Sequence, residues 1–237
     1  MADAGEPFNV ARRKVEAAGP VSEAEFQEIK RTGRCDLGNR GLTALPAEIT
    51  QLPNLWDLTL NGNQLTTLPP EIGQLTNLGT LTLGGKRGGN QLTALPPEIG
   101  QLTNLRELIL GGNRLTALPT EIGQLTNLGK LGLSGNQLTA LPLEIGQLAN
   151  LGELGLDRNQ LTALPTEIGQ LTNLQGLGLD GNQLTALPRE VADLLNGGLE
   201  LGLAGNPLQG PIPELYGQGP QALASYLRSL ERPQMRP

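Results

Sequence analysis

The sequence predicts an α/β solenoid: about eight similar coils, each with a strand on one side and a short helical turn on the other, closed by a helix at each end. Three observations carry this. First, the leucine that follows an asparagine recurs at positions 42, 65, 92, 115, 138, 161, 184 and 208, in steps of 23, 27, 23, 23, 23, 23 and 24. A fixed period in that range marks a stack of supersecondary units, none of which can bury its apolar face alone. Second, of 237 residues 50 are leucine and only five are aromatic, so aliphatic layers must fill the interior without the large rings of an ordinary core. Third, each unit holds one Leu-x-Leu, as in Leu58-Thr-Leu60 or Leu131-Gly-Leu133, whose period of two sends both leucines inward.

In chain order, residues 1–33 form a helical cap. A first helix is expected over Val10 to Ala18. A second opens on the capping box Ser22-Glu-Ala-Glu25, carries Phe26 and Ile29 on its apolar stripe and stops at Gly33. Residues 34–215 are the repeats. After each strand comes Gly-Asn, then Leu-Thr-Ala-Leu-Pro, then a turn of helix such as Glu121-Ile-Gly-Gln-Leu125. Strands that stack about 4.8 Å apart form a parallel sheet. Residues 216–237 form the second cap and a tail. Pro220 suits a first helical position, and Leu223, Tyr226, Leu227 and Leu230 follow at helical spacing.

Two residue types recur once per coil for structural reasons. The motif asparagines are Asn39 (one residue early), Asn63, Asn90, Asn113, Asn136, Asn159, Asn182 and Asn206. A buried amide at the strand end can donate to and accept from the turn backbone, so these are expected to form a ladder. Glu48, Glu71, Glu98, Glu121, Glu144, Glu167 and Glu190 open the helical turns, where free backbone amides and the positive dipole end favour a carboxylate. A calcium ladder is the rival reading, which needs several oxygens converging on one ion.

The pattern Leu-x-x-Leu-x-Leu-x-x-Asn-x-Leu, continued by Leu-Pro-x-Glu-Ile-Gly-x-Leu, resembles the leucine-rich repeat family over about residues 34–215. It is most similar to the short 23-residue repeats of Ras-group leucine-rich repeat proteins and of the repeat arm of Roco GTPases. The resemblance implies a curved sheet lining a concave face, helical or 3-10 turns on the convex face, and binding of a protein or peptide on the concave side. The stretch Gly219 to Arg228 also resembles the helix that leads from repeats into the GTPase module of Roco proteins. No Gly-x-x-x-x-Gly-Lys-[Ser/Thr] occurs, so that activity is not carried over.

Composition narrows the function. With no histidine there is no Ser-His-Asp triad, Cys-His pair or histidine metal site, and one cysteine excludes an intrachain disulfide and a multi-cysteine zinc site. No cofactor motif and no metal site is expected, and the chain is read as non-catalytic. The net charge is −6, and residues 41–215 hold 15 acids against 7 bases, an unfavourable balance for nucleic acid. No apolar run approaches the roughly 20 residues of a membrane span, and the start lacks the pattern of a secretory signal. A free Cys35 suits a reducing compartment, so a cytoplasmic monomer is expected, with Cys35 buried and inert in the first strand.

Register then assigns the outward sheet positions. The residue before the first leucine is Asp57, Thr80, Glu107, Lys130, Glu153, Gly176 or Glu200. The residue between the leucines is Thr59, Thr82, Ile109, Gly132, Gly155, Gly178 or Gly202. The residue after the second is Asn61, Gly84, Gly111, Ser134, Asp157, Asp180 or Ala204. The candidate partner-binding residues are Trp56 (beside the strand rather than squarely on it), Asp57, Glu107, Ile109, Lys130, Glu153, Asp157, Asp180 and Glu200. The four stacked glycines are either a floor that lets a partner approach closely or one glycine copied by duplication. Glu153, Asp157, Asp180 and Glu200 flank them, either as a surface for a basic or helical partner or as ordinary solvated charge. The insertion Gly84-Gly-Lys-Arg-Gly-Gly89 brings Lys86 and Arg87, either a grip for an acidic partner or a tolerated loop.

The first function read from these residues is a protein-interaction scaffold. Alternatives are the recognition arm of a larger Roco-like GTPase or ligase, and a structural or self-assembling solenoid.

Overall fold

A polypeptide with one strand per turn of solenoid can satisfy its backbone only by pairing each strand with its copies. The computed structural model, which describes residues 23–45, 47–85 and 88–230, shows this arrangement. Eight three-residue strands follow one another in a single parallel sheet, in chain order without crossovers. They are β1 (Arg34–Asp36), β2 (Asp57–Thr59), β3 (Thr80–Thr82), β4 (Glu107–Ile109), β5 (Lys130–Gly132), β6 (Glu153–Gly155), β7 (Gly176–Gly178) and β8 (Glu200–Gly202). Their central residues, Cys35 and then seven leucines, stand in register and point inward.

The opposite side carries 3-10 turns of five residues, such as Pro70–Gln74, Thr120–Gln124 and Thr166–Gln170. A proline in extended conformation precedes each of them from Pro69 to Pro165, and no side chain caps the turn. The expected helical turns are therefore present, and their tight 3-10 form suits so short a run. Leucines and isoleucines between strand and turn form one continuous core. Ile72, Ile99, Ile122, Ile145 and Ile168 are fully buried, one per coil.

The asparagine ladder is present and spans neighbouring coils. Asn136 Nδ2 donates to the Leu133 carbonyl of its own coil (2.8 Å) and to the Leu110 carbonyl of the preceding one (3.1 Å), while its Oδ1 accepts from the Leu115 amide (3.0 Å). Asn63, Asn113, Asn159, Asn182 and Asn206 also donate to the leucine three residues before them. Asn39 does not belong to this ladder. It is exposed, takes a left-handed φ of 58°, and stands in register with Gly62, while Arg40 stands at the ladder position.

Two further devices hold the coils together, neither foreseen from the repeat pattern. A second asparagine row runs along the outer surface: Asn77, Asn104, Asn127, Asn150 and Asn173 each donate to a carbonyl of the preceding coil at 2.7 or 2.8 Å. The glycine of each Glu-Ile-Gly is where successive 3-10 turns touch. A Cβ on Gly123 would lie 2.8 Å from both the Cβ and the carbonyl oxygen of Glu144. The glutamate row thus has a packing role besides its place in the first turn.

The ends are covered. Helix α1 (Glu23–Thr32) buries Phe26 and Ile29 and stops at Gly33, whose amide reaches the Ile29 carbonyl at 2.7 Å. Ser22 of the expected capping box and the expected helix from Val10 to Ala18 lie outside the described residues. The last repeat exchanges its 3-10 turn for helix α2 (Val191–Asn196). Two helices follow, α3 (Ile212–Gln218) and α4 (Pro220–Ser229), and α3 straddles residue 215, the expected end of the repeats. Leu223 and Leu227 of α4 are fully buried, and Tyr216 of α3 donates to the Leu201 carbonyl on β8 at 2.7 Å. Cys35 is buried, and burial pushes its thiol up to about 12.

Candidate functional site

From β2 to β7 each strand exposes, in whole or in part, the residues on either side of its buried central leucine, so the outer face of the sheet is a grid. Pairing aligns Asp57, Thr80, Glu107, Lys130, Glu153, Gly176 and Glu200 in one row, and Thr59, Thr82, Ile109, Gly132, Gly155, Gly178 and Gly202 in the next. These two rows are those read from the sequence; the third, after the second leucine, is not outward at its start, where Asn61, Gly84 and Gly111 are buried.

The candidate residues fall into two neighbourhoods. Trp56 and Asp57 lie at the N-terminal end. Trp56 is 41% exposed, but its Nε1 donates to the Thr32 carbonyl closing α1 (2.9 Å), and the Arg34 guanidinium sits 4.6 Å from its ring centroid. The indole therefore seals the joint between cap and sheet as much as it faces solvent. Asp57 pairs with Arg34 at 3.4 Å. Burial raises the Asp57 carboxyl above its ordinary value, against the pull of Arg34.

The other seven run from β4 to β8. Glu107, Lys130 and Glu153 are consecutive in their row, and Lys130 is ion-paired with Glu153. That bond raises the Lys130 ammonium above its ordinary value. Ile109 reaches over the adjacent glycine: a Cβ on Gly132 would lie 3.1 Å from Ile109 Cδ1. Asp157 and Asp180 follow β6 and β7 and turn inward along the sheet. Asp157 accepts from the Asp180 amide (3.1 Å) and the Ser134 hydroxyl (3.0 Å), and Asp180 accepts from the Ala204 amide (2.8 Å). Much of their accepting capacity is thus already used within the sheet.

Those contacts explain part of the glycine row. A Cβ on Gly178 would sit 2.7 Å from both carboxylate oxygens of Asp157, and one on Gly202 would sit 3.0 Å from an oxygen of Asp180. Gly176 stands in the other row, between Glu153 and Glu200, with nothing within 4 Å of its would-be Cβ. Around it lies an open groove of about 880 Å³, lined by Glu153, Gly155, Asp157, Gln175, Gly178, the Gly197-Gly198 turn and Glu200. A smaller depression of about 580 Å³ lies further along, lined by Ile109, Gly132, Ser134, Asp157, Arg158 and Asp180. Lys86 and Arg87 lie outside the described residues. Among the described residues no three His, Cys, Asp or Glu side chains gather as a metal site, and no helix is long and apolar enough to cross a membrane.

A family model for the leucine rich repeat matches residues 88–138, and a second one matches residues 54–75. Among solved structures, a leucine-rich repeat protein of Leptospira interrogans is 45% identical, with a TM-score of 0.73 over 80% of this chain and 47% of that one. The leucine-rich repeat ectodomain of the plant membrane receptor kinase GASSHO1/SCHENGEN3 from Arabidopsis thaliana was solved in complex with CASPARIAN STRIP INTEGRITY FACTOR 2. It is 38% identical, with a TM-score of 0.64 over 72% of this chain and 21% of that one. The chain thus spans about half the length of the first and about a fifth of the second. No curated protein matches the chain. The repeat period, the register, the asparagine ladder and these similarities agree: the chain belongs to the leucine-rich repeat family.

Proposed function

We propose that the chain is a non-catalytic protein-interaction scaffold that docks a protein or peptide on the outer face of its sheet, with a basic extended or helical segment over the groove around Gly176. Leucine-rich repeat domains are in general protein-interaction modules. The observation that carries the finer reading is the groove itself. Glu153, Asp157 and Glu200 line it, Lys130 and Arg158 are the basic neighbours on this face, and the Lys130 charge is already paired with Glu153. Such a surface attracts cations and loses affinity as salt rises. Its residues stand on strands fixed on both sides, so little conformational freedom is lost on docking.

The test is affinity capture from native cells with the wild-type chain and with Glu153→Lys/Glu200→Lys. Partners lost on charge reversal and eluted by salt support the acidic groove. Retention of every partner by the reversed chain removes it. The same reading takes the chain as a cytoplasmic monomer with both solenoid ends covered by helices. A mass of 25.0 kDa by light scattering is expected, and a concentration-dependent multiple of it favours a self-assembling solenoid.

A further inference from the structure

We propose that Arg158 is a specificity-determining contact of this face, receiving an Asp or Glu side chain of the bound protein. The inference rests on the docking surface proposed above.

The coils serve as an internal comparison. Just past the strand, the backbone enters the left-handed region at Asn39, Gly62, Gly112, Gly135, Arg158, Gly181 and Gly205, with φ between 55° and 72°. Glycine adopts that conformation freely and asparagine tolerates it, whereas a long side chain is disfavoured there. The turn has no need of a side chain. The Arg158 amide donates to the Asp180 carbonyl at 2.7 Å, as Gly135 does to Asp157 and Gly181 to Ala204 at the same distance. Arginine therefore stands where the fold asks for glycine, and such an outlier points outward to function.

Its side chain has no internal task. Among the described residues the Arg158 guanidinium makes no hydrogen bond or ion pair. The carboxylates on either side are committed elsewhere: both oxygens of Asp157 and one of Asp180 accept bonds from the sheet. The stem leans over the next coil, with Arg158 Cγ 3.6 Å from where a Cβ of Gly181 would be. This leaves the cation at the rim of the depression whose apolar wall is Ile109. A planar guanidinium in that setting matches a carboxylate in two-pronged geometry. Against the acidic groove beside it, one positive point fixes the direction in which a partner lies: basic residues toward Glu153 and Glu200, an acidic one toward Arg158.

A random peptide library displayed through its C-terminus is selected on the wild type, Arg158→Gly, Arg158→Glu and Glu153→Lys/Glu200→Lys. Wild-type binders are expected to carry an Asp or Glu at a fixed distance from their basic residues. They should bind Arg158→Gly about tenfold more weakly, the scale of one charge-assisted bond. Selection on Arg158→Glu should replace the acid by Lys or Arg. Melting of Arg158→Gly within about 2 °C of wild type, or above it, excludes a structural role. Acid enrichment that persists on Arg158→Gly, or a larger fall in melting temperature, overturns the assignment of Arg158 alone. No enrichment on the wild type over the charge-reversed chain overturns the docking surface, and this contact with it.

Discussion

Alanine at Gly123 places one methyl group in the tightest part of the stack. Its Cβ would lie 2.6 Å from Gln147 Oε1, 2.8 Å from Glu144 Cβ and 2.8 Å from the Glu144 carbonyl oxygen. Non-bonded carbon atoms rest about 3.5–4.0 Å apart. The Gln147 side chain can swing aside, but the Glu144 backbone moves only if the two coils part. Two effects oppose each other. Gly123 is not in the left-handed region, so alanine stabilises by about 0.4–1 kcal/mol through the unfolded chain. Overpacking a close contact costs about 1–3 kcal/mol. The clash wins by about 1–2 kcal/mol, which for this chain length lowers the melting temperature by about 2–8 °C. Gly217→Ala, in α3 with nothing within 4 Å of its Cβ, is the control and should gain about 0.5–1 kcal/mol. Thermal melts by circular dichroism read both. A Gly123→Ala chain that melts at or above wild type would refute the reasoning, and with it the same role for Gly100 and Gly146.

The remaining predictions concern the ladder, the sheet face and the cysteine. Asn136→Leu leaves the Leu115 amide and the Leu110 and Leu133 carbonyls buried without this partner, and should cost about 3 kcal/mol or more in denaturant melts; an unchanged midpoint counts against the ladder. Gly178→Ala should destabilise in a wild-type background by displacing the Asp157 carboxylate, and much less in Asp157→Ala; additive effects in the double-mutant cycle would exclude that contact. The Cys35 thiol is held at about 12 against an ordinary 9.0, so the folded state keeps its proton where the unfolded chain loses it. Its contribution is complete below pH 9 and is lost as pH rises toward 12, so Cys35→Ala should flatten the alkaline fall in stability; native Cys35 should resist thiol reagents at neutral pH until the chain unfolds.

Much of this was legible because the chain repeats itself. Once Leu131 is set beside Leu154 and Leu177, the two-residue period fixes the two rows that flank the central leucines, and pairing reproduces them. The asparagine ladder followed for a similar reason: one amide per coil at a strand end must find turn backbone to bond. What stayed hidden depends on distances from one coil to the next. The glycine of Glu-Ile-Gly reads as a weak helix residue until Glu144 is seen against Gly123. Asn127 reads as a turn residue until its amide reaches the Thr103 carbonyl. Asp157 and Asp180 read as partner-facing or solvated charge until each carboxylate is seen to accept from an amide one coil on, that of Asp180 and of Ala204. Helix α3 had a signal that went unused, Pro213 in its first turn and Ile212, Leu215 and Tyr216 on one face.

The glycine row itself separates scaffold from surface. Gly178 and Gly202 make room for Asp157 and Asp180, and Gly155 for Ser134, whose hydroxyl would lie 3.2 Å from a Cβ there. Loss of function on substituting these three would mix damage to the sheet with damage to a partner. Gly176, in the neighbouring row between Glu153 and Glu200, is free of that confusion. It lies outside the left-handed region, nothing stands within 4 Å of its would-be Cβ, and the groove opens directly above it. A leucine at Gly176 should therefore fold with a melting temperature within about 3 °C of wild type, a shift of at most about 1 kcal/mol. It should also fill the floor on which a partner's backbone would rest. If the acidic groove is the docking site, Gly176→Leu loses partner affinity at least tenfold, about 1.4 kcal/mol, in a chain whose circular dichroism is unchanged. If affinity survives, the open floor is unused, and the partner lies toward the Ile109 and Arg158 end of the same face or on another surface altogether.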